Sequence, residues 1–134
     1  MKTVTVCGSG KFRDFIHGVC DGLEKNGIIV LRPPLHNIGK YQIDEEGTLL
    51  LWKGATHAHL NRIKTADLCI MVNPNGYLGV GSTLELGYAV SLGKLIISLE
   101  GDEEKAREAL FDIILHTSDK TEAVQKITET LLKM

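Results

Sequence analysis

The sequence lacks an apolar run near the roughly 20 residues that a membrane-spanning helix needs, so we expect no membrane partner. It also lacks an excess of charge, since 15 Lys and Arg face 17 Asp and Glu for a formal net charge of −2. This balance argues against a nucleic-acid binder that neutralises phosphates and against polybasic membrane attachment. We therefore expect neither nucleic acid nor a membrane as a partner.

Cysteine is scarce, and its spacing is not that of a structural site. The three residues Cys7, Cys20 and Cys69 form an odd set without a CxxC motif. This excludes a disulfide scaffold or a zinc ribbon and favours free thiols in the cytoplasm. The start of the chain leads directly into a strand-like run, so we expect no signal peptide.

Repeats, low-complexity tracts and linkers are also missing, and 134 residues suit one domain over residues 1–134. What the sequence does contain is an alternation of short apolar runs and segments of helical period. Strands are predicted over residues 3–7, 28–31, 67–72, 95–99 and 113–115. Helices are predicted over residues 12–26, 51–65, 82–92 and 103–110, with a last helix capped by Asp119. Such alternation implies parallel pairing, so we predict a three-layer α/β/α sandwich with a small doubly wound, flavodoxin-like sheet of about five strands.

In such a sheet, ligands bind beyond the carboxyl ends of the strands, and the first loop there is rich in glycine. Gly8 and Gly10 allow backbone amides to turn toward a ligand, Ser9 offers a hydroxyl and Lys11 offers a charge. This combination suits a phosphate or a ribose hydroxyl at the start of a helix. Because the loop is neither GxGxxG nor a Walker loop, a plain tight turn is the alternative interpretation.

A second loop leads to an acidic residue near the start of the next predicted helix. Gly79 and Gly81 permit close backbone approach, and Ser82 begins the predicted helix. Glu85 follows Ser82 at capping-box spacing and could simply bond to a backbone amide. Alternatively, its carboxylate lies in the first helical turn at the mouth of the cleft, where the positive helix end favours ionisation. There it could attack a sugar carbon and hold a covalent glycosyl intermediate.

Three segments carry a resemblance to a known family: Val6–Ser9, Leu60–Asp67 and Gly79–Lys94. Together they resemble the nucleoside 2-deoxyribosyltransferase family, which includes deoxynucleoside 5′-monophosphate N-glycosidases. The likeness runs in order over about residues 3–100, and the segment around Glu85 is its most specific part. The resemblance implies a doubly wound α/β sandwich, in agreement with the pattern of strands and helices.

The resemblance also implies roles for individual residues. Glu85 would be the nucleophile that receives the deoxyribosyl group at C1′, and Asn73 would face the same cleft. The sugar or the 5′-phosphate would be held by Gly8, Ser9, Gly10, Lys11, Gly79, Gly81 and Ser82. The family further implies a homodimer or larger homo-oligomer, a nucleoside or nucleotide as the small-molecule partner, and no metal or organic cofactor.

The sequence departs from the family at two places. Thr5 and Val6 occupy the stretch where the family often has a tyrosine that supports the nucleophile. His59 stands where the family has an aspartate, and it could act as a general acid or mark a lost activity. His57 and His59 do not face one another on a helix, and a metal would need a third ligand that the sequence does not indicate.

These observations support an enzyme that breaks the N-glycosidic bond of a nucleoside or its 5′-monophosphate. The sugar would pass to Glu85 and then to water or to another base, in a hydrolase or a transferase. The alternative is a nucleotide-binding module of the same fold without catalysis. A third hypothesis, a phosphoribohydrolase of the lysine-decarboxylase-like group, ranks lower because the Pro-Gly-Gly run of that group is missing.

Overall fold

The computed structural model describes residues 2–34 and 42–134, in which strands and helices alternate. The strands are β1 (Thr3–Gly8), β2 (Ile29–Leu31), β3 (Leu68–Val72), β4 (Leu95–Ser98) and β5 (Ile113–Ile114). The helices are α1 (Arg13–Lys25), α2 (Glu45–Thr65), α3 (Val80–Ser91), α4 (Lys105–Glu108) and α5 (Lys120–Leu132). Short 3-10 turns cover Gly10–Phe12 and Pro74–Gly76.

The five strands form one parallel sheet in the order β2-β1-β3-β4-β5. This is the flavodoxin-like order, and it reverses direction between β1 and β3. The predicted fold class is therefore confirmed. The reversal separates the loops after β1 and β3, which opens a crevice at the carboxyl ends of these two strands.

Helices cover both faces of the sheet and divide the core into two hydrophobic clusters. On one face, α1 and α5 pack against Val4 and Val6 of β1, among other strand residues. On the other face, Ile63 of α2 and Leu86 of α3 pack against Cys7 and its neighbours. Alternate residues of β1 thus enter different clusters, as the period of a strand requires. Burial on both faces explains the continuous apolar run of β3.

Two helices begin earlier than the sequence pattern indicates. Helix α2 starts at Glu45 and not at residue 51, because the Asp44 side chain accepts a hydrogen bond from the Gly47 amide at 2.8 Å. Helix α3 starts at Val80, with Gly79 as its N-cap, and not at Ser82. Among the described elements, no helix is long and apolar enough to cross a membrane.

The end of β1 requires a glycine because it packs tightly. A Cβ on Gly8 would lie 2.7 Å from Ile16 Cδ1 and 2.9 Å from the carbonyl oxygen of Val72. The second of these neighbours is backbone and cannot rotate away. Gly8 therefore brings β1 close to both β3 and α1, whatever else its loop does.

A surface ion pair fastens the end of β2 to α1. Arg32 donates to Glu24 Oε1 at 2.8 Å and also contacts the carboxylate of Asp21. Hydrogen bonds from the guanidinium hold the pKa of both carboxyls below their usual range. The pair thus links the residue after β2 to α1.

Candidate active site

A cavity of about 390 Å³ occupies the crevice at the carboxyl ends of β1 and β3. Its walls come from the loop after β1, the prolines after β2, the middle of α2 and the start of α3. The volume is in the range of pockets that bind small molecules. The cavity therefore lies at the position that the strand order predicts.

The structure brings most of the sequence-predicted site residues together around this cavity. Eight of the ten line it: Gly8, Ser9, Gly10, His59, Gly79, Gly81, Ser82 and Glu85. The loops after β1 and β3 adjoin here, since a Cβ on Gly79 would lie 3.7 Å from Ser9 Oγ. The two remaining residues, Lys11 and Asn73, are not among the residues that line the cavity.

Glu85 projects from the second turn of α3 and is held by a histidine of α2. Its Oε2 atom lies 3.2 Å from His59 Nε2, and the two side chains are 22% and 5% exposed. Because α3 begins at Val80, Ser82 is not the N-cap and the capping-box interpretation of Glu85 is wrong. The prediction that Glu85 lies in the first turn of the helix is wrong as well. The carboxylate remains available to the cavity, with His59 beside it.

His59 differs sharply from its neighbour on α2. His59 is 4% exposed, whereas His57 is exposed, so the two histidines are not an equivalent solvated pair. His59 Nδ1 is buried and has no hydrogen-bond partner among the residues that the structure describes. The polar contacts of the ring are therefore concentrated at Nε2.

Cys7 joins this contact from β1. Its Sγ atom lies 3.3 Å from His59 Nε2, and the side chain is fully buried. A hydrogen bond with Cys69, burial and the nearby charge of Glu85 raise the pKa of Cys7 well above its usual range. The burial of Cys7 agrees with the sequence pattern, but its contact with His59 was missed. Its place one residue before the end of β1 was the available signal.

Lys11 and Asn73 make contacts within the protein. The ammonium of Lys11 lies 4.3 Å from the centroid of the Tyr77 ring. Asn73 is fully buried, and its Oδ1 accepts hydrogen bonds from the amides of Leu99 and Glu100 at 3.0 Å each. Asn73 therefore connects the end of β3 to the chain that follows β4.

Eight further residues that line the cavity were not predicted, among them Arg13, Trp52 and Tyr77. Arg13 is the only Lys or Arg among the described residues that line the cavity. Its Nε atom is buried without a hydrogen-bond partner in the described part of the chain. Its place at the start of α1, directly after the glycine-rich loop, was the signal that could have indicated it.

Two solved enzyme structures share this architecture. The CMP N-glycosidase BcmB from Clostridium botulinum has a TM-score of 0.63 at 21% identity, over 94% of this chain and 98% of its own. The 2-deoxyribosyltransferase from Bacillus psychrosaccharolyticus has a TM-score of 0.59 at 17% identity, over 91% and 90%. The chain has the fold of these nucleoside 2-deoxyribosyltransferase-type enzymes. The resemblance stated from the motifs is thus confirmed at the level of the fold.

The same fold also occurs outside enzymes of this type. The RPS4 and RRS1 TIR domain heterodimer has a TM-score of 0.57 at 17% identity, over 98% of this chain and 96% of its own. No family model and no curated protein matches the sequence. Any assignment of activity therefore depends on the side chains in the cavity and not on the fold.

Proposed function

We propose that this protein cleaves or transfers the N-glycosidic bond of a nucleoside or nucleoside 5′-monophosphate, with Glu85 as the nucleophile. The observation that carries the proposal is the Glu85 carboxylate, which faces a small-molecule cavity beside the buried His59. The N-glycosidase and the deoxyribosyltransferase that share the fold support the same reaction class.

The proposed reaction has two steps. A Glu85 oxygen attacks C1′ of the sugar, and the bond from C1′ to the base nitrogen breaks as the base leaves with the electron pair. The base takes up one proton from solvent, and the sugar remains as an ester of Glu85. Water or a second base then attacks C1′, loses one proton to solvent and releases the carboxylate. Water gives a hydrolase, and a base gives a transferase.

We propose that the main role of His59 is to position the Glu85 carboxylate. Its Nε2 atom contacts Glu85 Oε2, which leaves Oε1 to attack the sugar. The sequence alone suggested a general acid, and the two roles separate by substitution. A positioning role predicts that His59→Gln, which retains a donor, keeps more activity than His59→Ala. A general-acid role predicts that both variants lose the same limb of the pH–rate profile.

The loop after β1 is the proposed site for a 5′-phosphate. Arg13, Gly8 and Gly10 all line the cavity at this loop and offer a guanidinium and backbone amides as donors. Arginine and amides at a helix start suit the geometry and charge of a phosphate. Arg13→Ala should therefore raise KM for 5′-monophosphates much more than for nucleosides. An equal change for both substrates would place the phosphate elsewhere.

We further propose that two copies pair through an exposed apolar surface on α2 and α3. Leu50 is 63% exposed and Leu84 is 70% exposed, which is unusual for large apolar side chains on neighbouring helices. Trp52 and Val80, on the same two helices, are also exposed and line the cavity. A partner that covers them as well would border the site.

Light scattering after size-exclusion chromatography tests the pairing. We expect twice the chain mass of 14.7 kDa, and we expect Leu50→Glu to reduce the mass to a single copy. Lys53→Glu, at another exposed position of α2, is the control and should remain paired. A wild-type protein of single-copy mass at micromolar concentration would contradict the pairing.

A base-release assay tests the reaction. Chromatography would follow a panel of nucleosides and 5′-monophosphates, with and without a second free base. Glu85→Gln should lower the rate by about 10³-fold or more without a large change in Tm, because it removes the nucleophile. Glu103→Gln, a matched change at an exposed glutamate, should retain full activity. Full activity of Glu85→Gln would refute the proposed nucleophile.

A nucleotide-binding module without catalysis is the second candidate. The observation that favours it is Thr5, which stands in the stretch of the family tyrosine. Its hydroxyl donates to the Leu31 carbonyl at 2.7 Å, and its side chain is buried, so it does not replace a phenol in the cavity. This candidate predicts nucleotide binding by thermal shift without base release at any protein concentration.

A further inference from the structure

Three potential metal ligands converge beside the cavity, and two of them, His59 and Glu85, line it. Cys7 Sγ from β1, His59 Nε2 from α2 and a Glu85 oxygen from α3 all lie within 4.8 Å of one another. The separations from Nε2 are 3.3 Å to the sulfur and 3.2 Å to Glu85 Oε2. Three different elements thus deliver a thiol, an imidazole and a carboxylate to one point.

These separations are close to those around a tetrahedral zinc ion. Zinc binds sulfur at about 2.3 Å and nitrogen or oxygen at about 2.0–2.2 Å, so ligand atoms in a tetrahedron lie about 3.4–3.6 Å apart. The contacts of 3.3 Å and 3.2 Å to His59 Nε2 are slightly shorter than this, and Cys7 Sγ and the Glu85 oxygen lie within 4.8 Å of one another. The donor set of sulfur, nitrogen and oxygen also suits this metal.

A nucleophilic triad is a poorer interpretation of the same residues. In such a triad, the nucleophile contacts one ring nitrogen and the acidic residue contacts the other. Here Cys7 and Glu85 both contact Nε2, and Nδ1 has no partner in the described part of the chain. The raised pKa of Cys7 also disfavours a reactive thiolate.

We propose that Cys7, His59 and Glu85 bind one Zn²⁺ ion, whose fourth position faces the cavity. Because the ion would occupy His59 Nε2 and the Glu85 carboxylate, the zinc-bound protein would lack the free nucleophile of the proposed reaction, and zinc would inhibit base release. The ion would neutralise two adjacent anions, the Cys7 thiolate and the Glu85 carboxylate, and binding would release the thiol proton. Zinc sites with three protein ligands leave the fourth position to water or another small ligand. Because His59 Nδ1 lacks an outer partner among the described residues, we expect weaker binding than at a four-ligand structural site.

The test is direct metal binding by the intact protein, with any affinity tag removed. Titration with Zn²⁺ against a chromogenic chelator should give one ion per chain. Cys7→Ser, His59→Gln and Glu85→Gln should each weaken binding by tenfold or more. Cys20→Ser, another buried thiol, and His57→Gln, the exposed histidine of α2, are matched controls and should bind as the wild type does.

A second measurement identifies the sulfur ligand. Co²⁺ should produce a near-ultraviolet thiolate-to-metal band in the wild type and in Cys20→Ser but not in Cys7→Ser. If Cys7→Ser does not fold, Glu85→Gln and His59→Gln still decide the titration. Absence of binding, or binding that only His57→Gln weakens, would overturn the proposal. The base-release assay in the presence of a chelator tests the proposed reaction separately.

Discussion

Replacing Asn73 with alanine should destabilise the protein, because this side chain acts as a buried connector. Its Oδ1 accepts from the amides of Leu99 and Glu100, and its Nδ2 donates to the Glu100 carbonyl at 2.9 Å. The Leu99 amide also reaches the Met71 carbonyl at 3.2 Å and keeps that bond after truncation. The main loss therefore falls on the Glu100 amide.

The expected magnitude follows from these partners. An amide left without its acceptor costs about 1–3 kcal/mol, and weakening the remaining bonds costs about 0.5–1.5 kcal/mol. We therefore expect Asn73→Ala to lower the free energy of unfolding by about 2–3 kcal/mol. For a domain of this length that corresponds to a decrease in Tm of about 6–15 °C.

Thermal and urea unfolding followed by circular dichroism would measure the loss. Asn61→Ala, at an exposed position of α2, is the matched control and should change the free energy of unfolding by less than about 0.5 kcal/mol. The connector role would be refuted if Asn73→Ala has the same Tm and urea midpoint as the wild type and instead binds nucleotide more weakly. That result would restore the sequence-based role of Asn73 as a ligand contact.

Two further substitutions, Gly8→Ala and Arg32→Ala, test the contacts of the elements next to the cavity. Gly8→Ala should lower the free energy of unfolding by about 1–3 kcal/mol, because its Cβ would lie 2.9 Å from the Val72 carbonyl oxygen. A Cβ on Gly10 has no neighbour within 4 Å, so Gly10→Ala should have the same urea midpoint as the wild type. Arg32→Ala should be less stable than the wild type at neutral pH, since the carboxyl partners of Arg32 have lowered pKa values in the folded state. This difference should vanish as the pH falls through those values, and a constant difference down to low pH would contradict the ion pair.

The fold was predictable because its signals are local. Each strand of the sheet is a short apolar run, and each crossover is a segment of helical period ended by a signal such as Gly27, which has a φ of +80°. The rule that ligands bind where parallel strands end then indicated the loops that border the cavity. Glu85 and His59 were found together because a family motif marks both positions.

The errors and omissions concern contacts that no local pattern encodes. Ser82 and Glu85 have capping-box spacing, yet the helix starts at Val80, with the extended Gly79 as its N-cap. Asn73 resembles a cleft residue at the end of a strand, but its role depends on the neighbouring strand. Cys7 was expected to be buried, but its proximity to His59 depends on how α2 packs on the sheet. Such pairings need the three-dimensional structure.

The single tryptophan lies beside the cavity, so its fluorescence can report on events there. Trp52 is 56% exposed, lines the cavity and lies on α2. Since no second tryptophan contributes to the emission, any change in fluorescence originates at this one place. A ligand that enters the cavity and a second copy that covers the helix would both alter the polarity around the indole. Dilution of the unlabelled protein distinguishes them, because only the pairing depends on protein concentration.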